Sequence, residues 1–244
     1  MTVSVEELRG AWLALKSGRF ASDLPHMLDG SPCDIWTPSS TERAVAVVGC
    51  SGGVGASIVA LATATAVGGA ARVVECCFPG WSGFSAAATA ELGETAGWRR
   101  GSRGPVLLER RASPTGPLPL PAVSDVGLTV VDASWAAVTT PGSWLGPWLR
   151  SLPQVVLVTS ATVPGIRRLE TCLETLPSGC VPVAVLVGPS LKKLPKPVSI
   201  AAAGLPAVQL VAFPLEPALM VTGITPHPLS TPLIKAGKAL LTVL

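Results

Sequence analysis

The stretch from Ala44 to Ala71, AVAVVGCSGGVGASIVALATATAVGGAA, constrains the fold of this chain more than any other, because it holds no charged side chain. Ala44–Gly49 is small and β-branched, the pattern of a short buried strand. Cys50-Ser51-Gly52-Gly53-Val54-Gly55 is a glycine loop. The spacing predicts a helix that opens at Ala56-Ser57 and runs to about Val67, stopped by Gly68-Gly69. A glycine loop between a strand and a helix N-terminus gathers backbone N–H groups, and the helix dipole adds partial positive charge there. That is a phosphate cradle. The plainer reading of the same residues is a glycine turn kept for tight strand–helix packing.

A membrane span is the competing reading. About 20 apolar residues suffice to cross a bilayer, and the mean hydropathy of +0.52 is high. The run is mostly Ala, Gly, Ser and Thr, however, and glycines 49, 52, 53 and 55 would break a lipid-exposed helix and leave backbone groups unsatisfied. No transmembrane segment is expected. The opening MTVSVEELRG has acids where an export signal needs basic residues, so a cytoplasmic chain is expected. Cysteines without paired secretory spacing fit a reducing compartment. Cys50, Cys76 and Cys77 should lie near one edge of the sheet, as small buried hydrophobes or as a metal or redox site. Abundant Ala, more Arg than Lys and no Asn or Tyr point to a GC-rich, actinobacterial source.

Length of 244 residues and 14% charged residues suit one α/β domain with an appendage. A net charge of +3 is too small to dictate a partner. Residues 1–42 read as an appendage, with an amphipathic helix over 4–17 (Leu8, Trp12 and Leu15 on one face) and a Pro-rich tether to 42. Residues 43–244 read as the domain. Its further strands are expected at Ala71–Cys76, Gly127–Asp132, Gln154–Thr159, Pro182–Val187 and Ala207–Phe213, with Val106–Leu108 a short edge strand. Helices are expected at Phe84–Leu92, Val163–Leu176 and Leu229–Leu244. Buried strands alternating with helices imply a mostly parallel sheet with helices on both faces. Arg99, Arg100, Arg103, Arg110 and Arg111, beside Trp98, form either a solvated hairpin or a grip for DNA or an acidic partner face. Trp135, Trp144 and Trp148 fall in a Gly/Pro-containing loop, and Lys192, Lys193 and Lys196 in another. His227, between two prolines, reads as structural.

Ser51-Gly52-Gly53-Val54-Gly55-Ala56-Ser57 resembles the deviant Walker A loop of the ParA/MinD family, K-G-G-x-G-K-[ST]. The passages VVLVTSATVPGIRRLETCLETL and FPLEPALMVTGITPHPLSTPLIKAGKALL are similar to the family's strand–turn–helix and C-terminal segments. The resemblance implies a P-loop domain that binds ATP or ADP with magnesium, works as a homodimer, and positions or regulates a larger machine of conjugation, secretion or partition. It assigns the phosphate contacts to Ser51, Gly52, Gly53, Val54, Gly55, Ala56, Ser57 and Ile58, and the adenine contact to the neighbourhood of Pro214. It places Ser57 and, through water, Asp132 at the magnesium, with Glu75 and Asp132 as the candidate catalytic carboxylates. Both family lysines are replaced, by Ser51 and Ala56, and the second acid after the Ala71–Cys76 strand is Cys77. The departures imply a degenerate, pseudo-ATPase member. The alternative is a slow ATPase in which a partner subunit, or Arg99, Arg100 or Arg103, replaces a lysine. The resemblance also allows a membrane-seeking last helix, against the simpler reading of a helix packed on the sheet.

Overall fold

Strand β1 (Arg43–Gly49) occupies an inner position of a nine-stranded sheet. In the computed structural model, which describes residues 34–176 and 179–244, it is followed by α1 (Ala56–Ala66), β2 (Ala71–Glu75), β3 (Ala90–Thr95), β4 (Trp98–Arg103), β5 (Val106–Arg111) and β6 (Leu128–Ser134). Then come α2 (Trp135–Thr139), α3 (Leu145–Ser151), β7 (Gln154–Ser160), α4 (Val163–Glu174) and β8 (Val181–Gly188). The chain ends with α5 (Lys196–Ala203), β9 (Gln209–Pro214), α6 (Pro217–Thr222) and α7 (Thr231–Leu241). The helix expected over residues 4–17 lies outside the described residues.

The strands run in the order β3-β4-β5-β2-β6-β1-β7-β8-β9. Pairings from β5 to β9 are parallel, and only the β3–β4 and β4–β5 pairings are antiparallel. A strand buried on both faces needs no polar alternation. In β1, Val45 and Val47 enter the core beneath α1 and α7, while Ala46 and Val48 enter the core on the opposite face, with α3 and α4. Helices thus cover both faces, as the strand–helix alternation predicts. The last helix lies on α1: a Cβ added to Gly237 would stand 2.4 Å from the Ala62 carbonyl oxygen. That close approach fits the small residues of α1 at the crossing, Ala62 and Thr63 among them.

The structure corrects several expectations. Phe84–Leu92 is not a helix; turns lead into β3, which pairs with β4. The cause is the two-residue connection Ala96-Gly97, both with positive φ (51° and 81°), which fits the twist of a tight hairpin. β5 is no short edge strand; it is six residues long and lies between β4 and β2. Trp144 and Trp148 are buried against Trp36, with ring centroids 5.2–5.8 Å apart, and Trp135 opens α2. Lys192 and Lys193 lie in a 3-10 turn, and Lys196 begins α5.

The segment from Asp34 to Glu42, expected as tether, belongs to the same compact unit as the sheet. Glu42 is buried there against Arg72, with Nη2 of Arg72 donating to its Oε1 at 2.5 Å. Arg72 also donates to the Thr129 hydroxyl at 3.0 Å, the Ala122 carbonyl at 2.7 Å and Glu109 at 3.3 Å. Among the described residues no helix is long and apolar enough to cross a membrane.

Candidate functional site

The loop after β1 leaves the carboxyl end of the parallel strands and crosses toward β7 and β8. The Cys50 N–H donates to the Val158 carbonyl at 2.9 Å, and Gly55 lies against Val187. Gly53 and Gly55 have φ of 71° and 91°. Side chains at those positions would be strained, so glycine is what lets the loop turn this tightly. Gly55 is also the residue before α1, and no side chain caps the helix there. The N–H groups of its first turn therefore lack both intrahelical and side-chain acceptors. They open beside the exposed Gly52 and Gly53, the arrangement that receives anions.

Ser57, Glu75 and Asp132 are brought together by register. Glu75 on β2 pairs with Asp132 on β6, so the two carboxylates share one face of adjacent strands. Burial, and then the charge of Glu75, push the Asp132 carboxyl up to about 7, while the Ser57 hydroxyl favours its charged form. Burial also raises Glu75, against hydrogen bonds from Ser82 and Gly83. Both oxygens of Glu75 are engaged: the Ser82 hydroxyl donates at 2.5 Å and the Gly83 N–H at 2.6 Å. Gly83 itself packs on Ser57, where an added Cβ would be 2.7 Å from the hydroxyl oxygen. The segment after β2 thus folds over the carboxylates. Phe78 and Trp81 stack edge to face on its outer side, and Arg111 lies 4.6 Å from the Phe78 ring centroid.

These groups fit a hard divalent cation. The donor set is a hydroxyl and a carboxylate, and a second carboxylate raises the local demand for positive charge. No group of three His, Cys, Asp or Glu side chains forms a metal cage among the described residues, so Ser57 and Asp132 would hold magnesium together with phosphate oxygens and water. Pro214 ends β9, paired in register with Gly188 of β8, which puts it at the same carboxyl edge as the loop.

Cys50 and Cys76, which follow β1 and β2 at the same carboxyl edge, are small buried hydrophobes of one core, and Cys77 beside them is half-buried. Cys50 and Cys172 of α4 lie in one buried cluster; the neighbouring Cys172 and then burial push the Cys50 thiol up, while Cys50 lowers Cys172 against the effect of its burial. Burial raises Cys76 and Cys77.

The arginine segment is also corrected. Arg103, Arg110 and Arg111 are buried. Arg103 donates to the carbonyls of Ala87, Thr225 and His227. Arg110 pairs with Glu91 and donates to Phe84 and Ser85, and Arg111 donates to Thr115 and Gly116. Only Arg99 and Arg100 remain near the surface, and Arg100 stands 3.2 Å from Glu109. β4 is four strand spacings from β1, roughly 19 Å at the usual 4.7–4.9 Å. Within one chain, Arg99, Arg100 and Arg103 cannot replace a lysine of the loop. The cation that does meet the loop is one the sequence did not single out: Arg168 of α4, whose Nη1 donates to the Ser51 hydroxyl at 3.2 Å.

A glycine loop at the carboxyl end of a parallel strand, opening an uncapped helix in a sheet covered on both faces, is the α/β fold of ParA/MinD P-loop NTPases, and this chain has that fold. No protein-family model matches the sequence, and no curated protein matches it. Among solved structures, it is similar to a ParA family ATPase from Chlorobium tepidum TLS (16% identity, 83% of this chain and 99% of that one, TM-score 0.52). It is similar to a chain of the MinC:MinD cell division protein complex of Aquifex aeolicus (14%, 82% and 96%, TM-score 0.53). A third likeness is to the septum site-determining protein MinD of Pyrococcus horikoshii OT3 complexed with Mg-ADP (15%, 83% and 97%, TM-score 0.52).

Proposed function

We propose that this chain is a degenerate ParA/MinD-like P-loop protein that binds ATP or ADP with magnesium and serves as an adaptor for a larger machine, without efficient hydrolysis. The observation that carries the reading is the uncapped start of α1 behind the left-handed Gly53 and Gly55, with Ser57 set against the buried Asp132. Bound nucleotide would place its phosphates on the amides from Ser51 to Ile58 and its base near Pro214. Ser57 and, through water, Asp132 would hold magnesium, which would supply positive charge to the phosphates. Asp132 must lose its proton to serve there, which a cation makes easier.

Weak catalysis follows from the residues. Neither Ser51 nor Ala56 carries charge, Cys77 stands where the resemblance implies an acid, and Glu75 has both oxygens occupied. A homodimer, and a protein partner of the kind implied by the MinC:MinD complex, complete the proposal. Direct contact with DNA or an acidic surface through the arginine segment would fall to Arg99 and Arg100.

Titration of the purified chain with labelled ATP and ADP, with and without magnesium, tests the site. Saturable binding strengthened by magnesium is expected, and its absence for both nucleotides overturns the reading. The Arg168 contact favours a second reading, a slow ATPase. Phosphate release in a single turnover at stoichiometric protein would establish it, and none under any condition would remove it.

A further inference from the structure

Two consecutive loop residues meet two residues of α4 that are one turn apart. Cys50 shares a buried cluster with Cys172, and Ser51 accepts from Arg168. Residues four apart on a helix share a face, so this face of α4 is aligned along the opening of the loop. Ile166 and Leu169 anchor the helix in the core, and the Thr162 hydroxyl caps its start by accepting from the Gly165 N–H at 3.1 Å. The guanidinium of Arg168 is thereby held over a loop whose own residues, Cys50 to Ser57, contain no charge. Among the described residues Arg168 has no carboxylate within ion-pair distance. Guanidinium has five N–H donors and is always protonated; the contact with Ser51 uses one of them.

We propose that Arg168 is a phosphate-binding residue, supplying from α4 of the same chain the positive charge that the loop lacks at Ser51 and Ala56. The inference rests on the nucleotide-site reading above and deepens it. An arginine pinned by one neutral hydroxyl keeps its remaining donors for an anion, and a planar fork can address two phosphate oxygens at once. Its neighbour Arg167 is also exposed and makes no side-chain hydrogen bond to the loop, which makes it the internal control.

The test is ATP and ADP binding by isothermal titration at fixed magnesium, at two salt concentrations, for the wild-type chain, Arg168→Ala, Arg168→Lys and Arg167→Ala. Loss of a charge-assisted phosphate contact should weaken ATP binding about tenfold or more in Arg168→Ala and flatten its salt dependence. Arg168→Lys should recover part of the affinity, and Arg167→Ala should match wild type. Thermal midpoints without nucleotide should be equal for all four, since Arg168 is exposed and makes one neutral contact. Wild-type binding that persists unchanged in Arg168→Ala overturns this inference and leaves the nucleotide site standing. No binding by wild type overturns the site and this inference with it. Equal weakening in Arg167→Ala shows general surface charge and also overturns it.

Discussion

Glu75 and Asp132 are paired residue to residue across β2 and β6, and burial together with the charge of Glu75 raises the cost of ionising Asp132. The Asp132 carboxyl has an ordinary value of 3.8 and a folded value of about 7. A group whose folded value is raised binds its proton more tightly in the folded state. Its stabilising contribution is complete below the ordinary value and lost as pH rises through about 7. Stability of the nucleotide-free chain should therefore fall between about pH 4 and 7, by an amount on the order of 4 kcal/mol for this group. Asp132→Asn should remove that slope and raise the thermal midpoint at alkaline pH, while abolishing stabilisation by magnesium with nucleotide. Thermal unfolding across pH for both proteins measures this. A wild-type profile as flat as that of the variant would show that Asp132 ionises without penalty.

Ala56 occupies the first turn of α1, half-buried, with its Cβ close over Gly49. If the amide cradle is competent and lacks only charge, Ala56→Lys should raise ATP affinity about tenfold or more. Titration with ATP reads it directly. An unchanged affinity would show that the glycine loop serves strand–helix packing and not phosphate.

The parts of this fold that could be read in the sequence are those where one physical demand dominates. A charge-free run with glycines at the strand–helix junction admits few structures, and the buried parallel strands appear as unbroken Val/Leu runs. β3 was illegible because AELGET has no alternation and an Ala-rich approach favours helix; the deciding signal was the Ala96-Gly97 turn, readable only as part of a hairpin. The arginines looked solvated because arginine is rarely buried unless paired, and the carbonyls that receive Arg103 come from Thr225 and His227, 122 and 124 residues away. Arg168 was overlooked for the same reason: its contact with Ser51 spans 117 residues. Within the site, Asp132 and Glu75 could be named from strand ends and Ser57 from the glycine-loop pattern, but the closure of Ser82 and Gly83 over Glu75 could not.

Arg72 and Glu42 tie the segment before β1 to the sheet, both almost fully removed from solvent. Glu42 also accepts from the Thr129 hydroxyl, so its loss would leave a buried guanidinium and a buried hydroxyl short of an acceptor. Removing one partner of a buried pair costs about 3–5 kcal/mol. Glu42→Ala should therefore lower stability by roughly that amount in urea denaturation, with Glu42→Gln intermediate because its amide oxygen still accepts. A loss below about 1 kcal/mol, the value of a surface pair, would show that Glu109 and the Ala122 carbonyl satisfy Arg72 alone.

Gly237 is where α7 crosses α1, and the available space decides the sign of its substitution. Gly→Ala in an open helix interior stabilises by about 1 kcal/mol through propensity. Here the added methyl would stand 2.4 Å from the Ala62 carbonyl oxygen and 2.9 Å from the Thr63 nitrogen. Those are backbone atoms of α1 and cannot rotate away, so the helices must separate. Overpacking of this kind costs about 1–3 kcal/mol, enough to reverse the propensity gain. Gly237→Ala should lower the urea midpoint, and Gly237→Leu should lower it further. Because α1 begins at the glycine loop, the same variants should weaken ATP binding before they unfold the chain. A Gly237→Ala protein more stable than wild type would mean that α7 does not lie this close to α1, and that the small residues of α1 have another cause.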